Sequence, residues 1–151
     1  MTADPPLTVR TAGSGDLDLV AGLHGMGDPG PAHRRAWARM TASAEVTVYL
    51  AERSGRPVGT ATLTLLPNIT HGGAPSALIE AVTVIPGARR RGVATALLRR
   101  ALADAGAAGC HKVQLLSHKR HATDGAHALY AGLGFVPEAE GFRLYLGPDP
   151  V

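Results

Sequence analysis

A single cysteine, Cys110, stands in this chain of 151 residues, so no internal disulfide can form and nothing points to an oxidising compartment. Aromatic residues are almost as scarce, with one Trp, three Tyr and two Phe, and the core must be built mainly from Ala, Leu and Val. No apolar run approaches the roughly 20 residues needed to span a membrane. The opening "MTADPPLTVRTAG" also lacks the apolar stretch of a signal peptide. These absences predict a soluble, cytoplasmic protein. There is no internal repeat and no long linker, so residues 1–151 are expected to form a single domain. Charge is not one-sided either: 15 Lys and Arg face 12 Asp and Glu, a net +3. Such an excess suits an anionic ligand or a nucleic acid, and equally a basic surface with no partner.

Periodicity supplies the layout. "LTVRT" (residues 7–11) alternates as a strand does, and Ser14 or Asp16 can cap a helix that places Leu17, Val20 and Leu23 on one face. After "GMGDPGP", residues 33–43 read as a second helix around Trp37 and Met40. "VTVYLAE" and "PVGTATLTLL" flank Arg53-Ser54-Gly55-Arg56 and predict a hairpin. The loop of residues 67–75 leads into "SALIEAVTVI", which is apolar on both faces and reads as a strand buried mid-sheet. A long helix carries Ala94, Leu97, Leu98, Ala101, Leu102 and Ala105 on one stripe and ends at Gly106 and Gly109. "KVQLLS" is a strand, "GAHALYAGLG" a helix and "FRLYLG" a final strand. The order predicts an α/β fold: one mixed central sheet with helices on both faces.

One segment breaks a rule. Arg89, Arg90 and Arg91 stand where the long helix begins, yet that end already carries about half a positive charge from the peptide dipoles. Gly92 and Ala94 follow, small enough to let backbone N–H groups approach a ligand closely. Bare amides, the helix dipole and guanidinium groups would then converge on a polyanion, best a pyrophosphate. With no ligand the same residues form only a solvated basic turn. The spacing G-x-x-x-x-G-K-[ST] is absent, and the glycine comes too late, after a hairpin, for a dinucleotide-binding G-x-G-x-x-G.

The run Arg/Gln-x-x-Gly-x-Gly/Ala, between a "V-x-P" strand end and an "LL" helix, resembles the acetyl-coenzyme A motif of the GNAT-type N-acetyltransferases. "ALYAGLGF" (residues 128–135) is similar to that superfamily's late "LY-x-x-x-GF" element. "LLPNITHGG", "LIEAVTVIPGARRRG" and "GCHKVQLLS" further resemble one bacterial subgroup of it. The likeness covers residues 46–146; the first 45 residues match in layout only.

The resemblance implies a GNAT-like sheet splayed at its two central parallel strands, with acetyl-coenzyme A as cofactor. Its pyrophosphate would lie on Arg89, Arg90, Arg91, Gly92, Val93, Ala94 and Thr95. Its pantetheine arm would pair with Val82, Thr83 and Val84, in the wedge beside Val113–Leu116. Thr123 stands where relatives often carry an Asn that touches the arm. The implied reaction is direct transfer of acetyl to the primary amine of a small molecule, with Tyr130 protonating the thiolate. Glu80, the one carboxylate of an otherwise apolar strand, is the candidate base, its pKa expected to be raised by burial. His71 or a bound water are the alternatives for that role. Asn68, His71 and Trp37 are the candidate acceptor contacts. A homodimer, common in the family, would bury exposed strand edges.

Two readings compete with a small-molecule acceptor. One is a protein or peptide N-acetyltransferase, disfavoured by the long loop before Glu80. The other is a nucleic-acid module built on Arg89–Arg91, Arg99 and Arg100, which lacks interleaved aromatics. No metal site is expected, because His118, His121 and His127 lack the spacing and the companion ligands. Cys110, beside Gly109 at a strand start, reads as a packing residue rather than a nucleophile.

Overall fold

The computed structural model describes residues 2–148. The chain divides into two compact units, Met1–Leu115 and Leu116–Val151. The first contains β1 (Leu7–Thr11), α1 (Leu17–Leu23), α2 (Pro31–Ala42), β2 (Val46–Arg53), β3 (Arg56–Leu66), β4 (Ser76–Val84), α3 (Val93–Ala107) and β5 (Lys112–Leu115). One sheet runs in the order β1-β2-β3-β4-β5. Its first three pairings are antiparallel and β4–β5 is parallel, which makes the sheet mixed, as expected. The β2–β3 hairpin turns through Ser54 and Gly55 at φ 50° and 72°, the two positive values that match a tight turn to the twist of its strands.

Helices cover both faces, and β2 shows how. Val48 and Leu50 join Val20 and Leu23 of α1 and Trp37 of α2 in one core cluster. Tyr49, between them, points the other way and donates its hydroxyl to Asp104 of α3 at 2.6 Å. Tyr49, Leu50 and Ala51 are all fully buried, the mark of a strand covered on both sides. Burial and the Asp104 carboxylate push the Tyr49 hydroxyl far above its ordinary pKa, so it stays a donor at any working pH. Arg100 completes the clamp, reaching Asp104 at 3.3 Å and the Val9 carbonyl at 3.3 Å.

Arg10, Asp16 and Glu52 fasten β1 to the start of α1. Arg10 meets Asp16 through two hydrogen bonds of 2.9 and 3.0 Å and reaches Glu52 at 3.2 Å. Asp16 also accepts from Gly13 N–H at 2.7 Å. The Arg10 guanidinium, then the Gly13 amide, hold the Asp16 carboxyl down to about 2. A depressed folded-state pKa stabilises above the unfolded value and is lost as pH falls through the folded one. Partial exposure of Arg10 limits the contribution to roughly 1 kcal/mol. Thermal melts should therefore lose this increment between about pH 4 and pH 2. In Asp16→Asn that part of the pH dependence should disappear.

The second unit holds a short 3₁₀ turn (Lys119–His121) and α4 (Ala126–Gly132). Tyr130 packs edge-on against Phe135, the ring centroids 6.2 Å apart. The strand expected at "FRLYLG" is not formed: residues 141–148 have no regular element, and Phe142, Leu144, Tyr145 and Leu146 are exposed. Alternation is a necessary signal for a strand but not a sufficient one. A strand exists only where its N–H and C=O groups find a ladder partner, and no described residue supplies one here. In consequence the parallel pair β4–β5 stands at the end of the strand order. No helix among the described residues is long and apolar enough to cross a membrane.

Candidate active site

The arginine segment forms a chain of tight turns between a 3₁₀ turn, Pro86–Ala88, and α3. Arg90 and Gly92 both sit in the left-handed region, at φ 60° and 78°. Glycine takes that conformation freely, whereas arginine is strained in it. The first amide of α3 with a partner is that of Ala96, which donates to the Gly92 carbonyl at 3.0 Å. Among the described residues, none of the backbone N–H groups from Arg90 to Thr95 has an acceptor. A Cβ built on Gly92 meets nothing within 4 Å, so no neighbouring group crowds the turn at that position. Unpaired donors at the positive end of a helix fit a diphosphate.

β4 leads to this turn with a defect in its pairing. β4 faces β3 as Glu80↔Thr62 and then Thr83↔Thr60, so Ala81 and Val82 stand opposite the single residue Ala61. That is a β-bulge, and Ala81 carries it at φ 52°. The parallel pairing with β5 stops at Ile79↔Leu115, one residue before Glu80. Beyond it the outer edge of β4 has no ladder partner among the described residues. Ile85 N–H donates to the Val58 carbonyl at 3.0 Å, so by strand alternation the N–H and C=O of Val84 face that outer edge. Arg89 Nε donates to the Val84 carbonyl at 3.2 Å, which leaves the Val84 N–H as the open group. An extended, amide-bearing ligand has here a free edge that ends beside the turn of bare amides.

Residues 22–135 match the family model described as the acetyltransferase (GNAT) family. The chain belongs to the GNAT acetyltransferases. It is 32% identical over 108 residues to the glucosamine 6-phosphate N-acetyltransferase of Trypanosoma brucei brucei, covering 72% of this chain and 70% of that one. A candidate acetyltransferase of Agrobacterium tumefaciens str. C58 superposes with a TM-score of 0.84 at 33% identity, over 91% of this chain and 99% of that one. A predicted acetyltransferase of Clostridium acetobutylicum, solved with acetyl-CoA, has a TM-score of 0.73 at 21% identity, over 93% and 97% of the two chains, and shares the fold.

In this GNAT chain the residues singled out from sequence fall into distinct places. Val82 to Val84 and Arg89 to Thr95 lie on the edge and turn just described. Glu80 stands one residue before the bulge, but it is exposed, which removes the burial expected of it. The strand is buried only in its first half, at Ser76, Ala77 and Ile79. Trp37 turns inwards: it is 6% exposed, donates Nε1–H to the Ser14 carbonyl at 3.1 Å and packs in the α1–α2 core. Trp37 is also among the residues lining a hollow of about 460 Å³, with Asp18, Asp28 and Arg34. His71 stacks on His111 with ring centroids 3.9 Å apart. That pair stands at the Ser76 end of β4, roughly 16 Å from the bulge at about 3.3 Å per residue. Asn68 is spent locally, accepting from the Thr70 hydroxyl at 3.0 Å.

In the second unit Tyr130 is half-buried, and burial, then Asp124, raise its pKa, so the phenol keeps its proton at neutral pH. Thr123 is exposed. His118 accepts from Arg120 N–H and His121 bonds Asp124, and no cluster of three metal-ligating side chains exists among the described residues. Burial pushes the half-buried Cys110 thiol up, away from a reactive thiolate.

The sequence reasoning missed His24. This residue ends α1, is half-buried, and bonds the Thr83 hydroxyl of β4 through Nδ1 at 3.2 Å. Burial lowers its pKa, so the ring is neutral at pH 7. A histidine placed just after a short helix carries no signal of its own; only the packing of α1 on the sheet brings it to Thr83.

Proposed function

We propose that this GNAT acetyltransferase uses acetyl-coenzyme A to acetylate the primary amine of a small molecule directly, with no acyl-enzyme. The observation that carries the reading is the run of unpaired amides from Arg90 to Thr95, continuous with the open edge of β4. These unpaired amides, with no bulky side chain at Gly92 or Ala94, fit a diphosphate joined to an amide-containing arm, and the Clostridium acetobutylicum structure was solved with acetyl-CoA. When bound, the cofactor supplies an activated thioester.

The chain's own groups do the rest. The amides from Arg90 to Thr95, helped by the α3 dipole, bind the diphosphate. The Val84 N–H, the free donor of the edge, orients the arm and stabilises charge on the acetyl oxygen. Glu80, just before the bulge, accepts the proton of the attacking amine. Tyr130, kept protonated by its surroundings, gives a proton to the departing sulfur. The small-amine reading is supported by a relative that is a glucosamine 6-phosphate N-acetyltransferase, 32% identical over 108 residues.

Release of coenzyme A thiol, followed over a panel containing glucosamine 6-phosphate, aminoglycosides and peptides with free N-termini, tests this. Turnover confined to the small amines is expected; turnover of peptides alone would overturn the acceptor class. With an accepted amine, Tyr130→Phe and Glu80→Gln should each lower kcat by on the order of 100-fold, with coenzyme A affinity within about twofold. Wild-type kcat in Glu80→Gln would remove Glu80 from the base role.

A further inference from the structure

Arg53 ends β2, far in sequence from the arginine turn, yet its side chain is only 16% exposed and both ends of its fork are committed to main-chain carbonyls. Nη2 donates to the Arg91 carbonyl at 2.7 Å and Nη1 to the Pro5 carbonyl at 3.1 Å. Asp4 stands 3.6 Å from Nη1 and 3.8 Å from the Arg91 guanidinium. Nε is buried with no partner among the described residues. The guanidinium is thus held at both ends of its fork, and one of those two grips is on a peptide of the turn.

We infer that Arg53 is a positioning residue for diphosphate binding, setting the Arg91–Gly92 peptide so that the Gly92 N–H faces the ligand. The inference rests on the cofactor reading above. In a trans peptide the carbonyl and the following N–H lie in one plane and point to opposite sides. Pinning the Arg91 carbonyl to Arg53 therefore aims the Gly92 N–H away from Arg53, where it has no acceptor among the described residues. Gly92 has left-handed φ and no side chain, so nothing of its own fixes that plane. Arg53 has a firm base, since β2 is paired on both sides there, with Leu7 and with Arg56. The geometry also separates Arg53 from Arg90: Arg53 spends its donors on the backbone, while Arg90 makes no side-chain bond among the described residues and is free to meet phosphate.

Calorimetric titration of Arg53→Met and wild type with coenzyme A, and in parallel with pantetheine, which lacks the diphosphate, tests this. The expected result is a tenfold or greater loss of coenzyme A affinity in Arg53→Met, with pantetheine binding within twofold of wild type. A smaller loss for coenzyme A, or an equal loss for both ligands, overturns the positioning role and leaves Arg53 a structural brace. If Arg53→Met does not fold, Arg53→Lys, which keeps the charge but not the two-pronged grip, is read by the same criteria. Wild-type protein that takes up no coenzyme A overturns the cofactor reading itself, before any variant is compared.

Discussion

Gly92→Glu should lower coenzyme A affinity at least a hundredfold, about 2.7 kcal/mol, and leave a folded protein. Gly92 sits at φ 78° with open space where a side chain would project. A glutamate there places a carboxylate in front of the unpaired amides from Arg90 to Thr95, where it competes for those donors and repels the diphosphate. The backbone cost of a non-glycine residue in this region is about 1–2 kcal/mol, enough to shift the melting temperature by several degrees without unfolding the domain. Gly92→Asn separates the two effects, because asparagine tolerates the left-handed conformation and adds no charge. It should melt close to wild type and bind coenzyme A far better than Gly92→Glu. Equal affinity in wild type and Gly92→Glu, measured by calorimetry, would show that the diphosphate lies elsewhere.

The second large effect is on stability. Gly59 of β3 lies directly under α3: a Cβ there would stand 2.7 Å from Val93 Cγ1, 3.1 Å from Leu97 Cδ1 and 3.1 Å from the Thr83 carbonyl. Val93 and Leu97 are buried, and the Thr83 backbone belongs to β4, so the space cannot be cleared by swinging one flexible side chain outward. Gly59→Val should therefore cost about 3 kcal/mol through overpacking and lower the melting temperature by roughly 10 °C. Gly59→Ala should show a smaller loss of the same kind. Because Val93 begins α3, lifting the helix also displaces the first-turn amides, and coenzyme A affinity should fall with stability. A Gly59→Val protein as stable as wild type would mean that α3 packs further from the sheet than the structure shows.

These two glycines mark what can be read from sequence and what cannot. Gly92 was legible because three arginines at the positive end of a helix conflict with the dipole, and a local conflict of that kind asks for a ligand. Gly59 was not, because only the packing of α3 on the sheet brings Val93 and Leu97 to it, and only the β3–β4 register brings Thr83. The hairpin at Ser54-Gly55 and the apolar stripe of α3 could be read because their signals are local and periodic. The bulge at Ala81 could not, since the residue that takes a positive φ there is an alanine. That bulge and the early end of β5 leave Glu80 exposed in a strand that reads as buried. Trp37 was legible as a helix residue, but whether it faced a ligand or the core depended on packing against Val20, Leu23, Val48 and Leu50. Arg53 escaped notice because its partners are main-chain carbonyls, which have no sequence signature.

The most direct measurement is a titration of isotope-labelled protein with acetyl-coenzyme A, followed amide by amide in the ¹H–¹⁵N spectrum. The expected result is that the amides from Arg90 to Thr95 and that of Val84 move together and saturate at one ligand per chain. If those amides stay in place while the protein is saturated with acetyl-coenzyme A, the turn does not hold the diphosphate and the edge of β4 does not hold the arm.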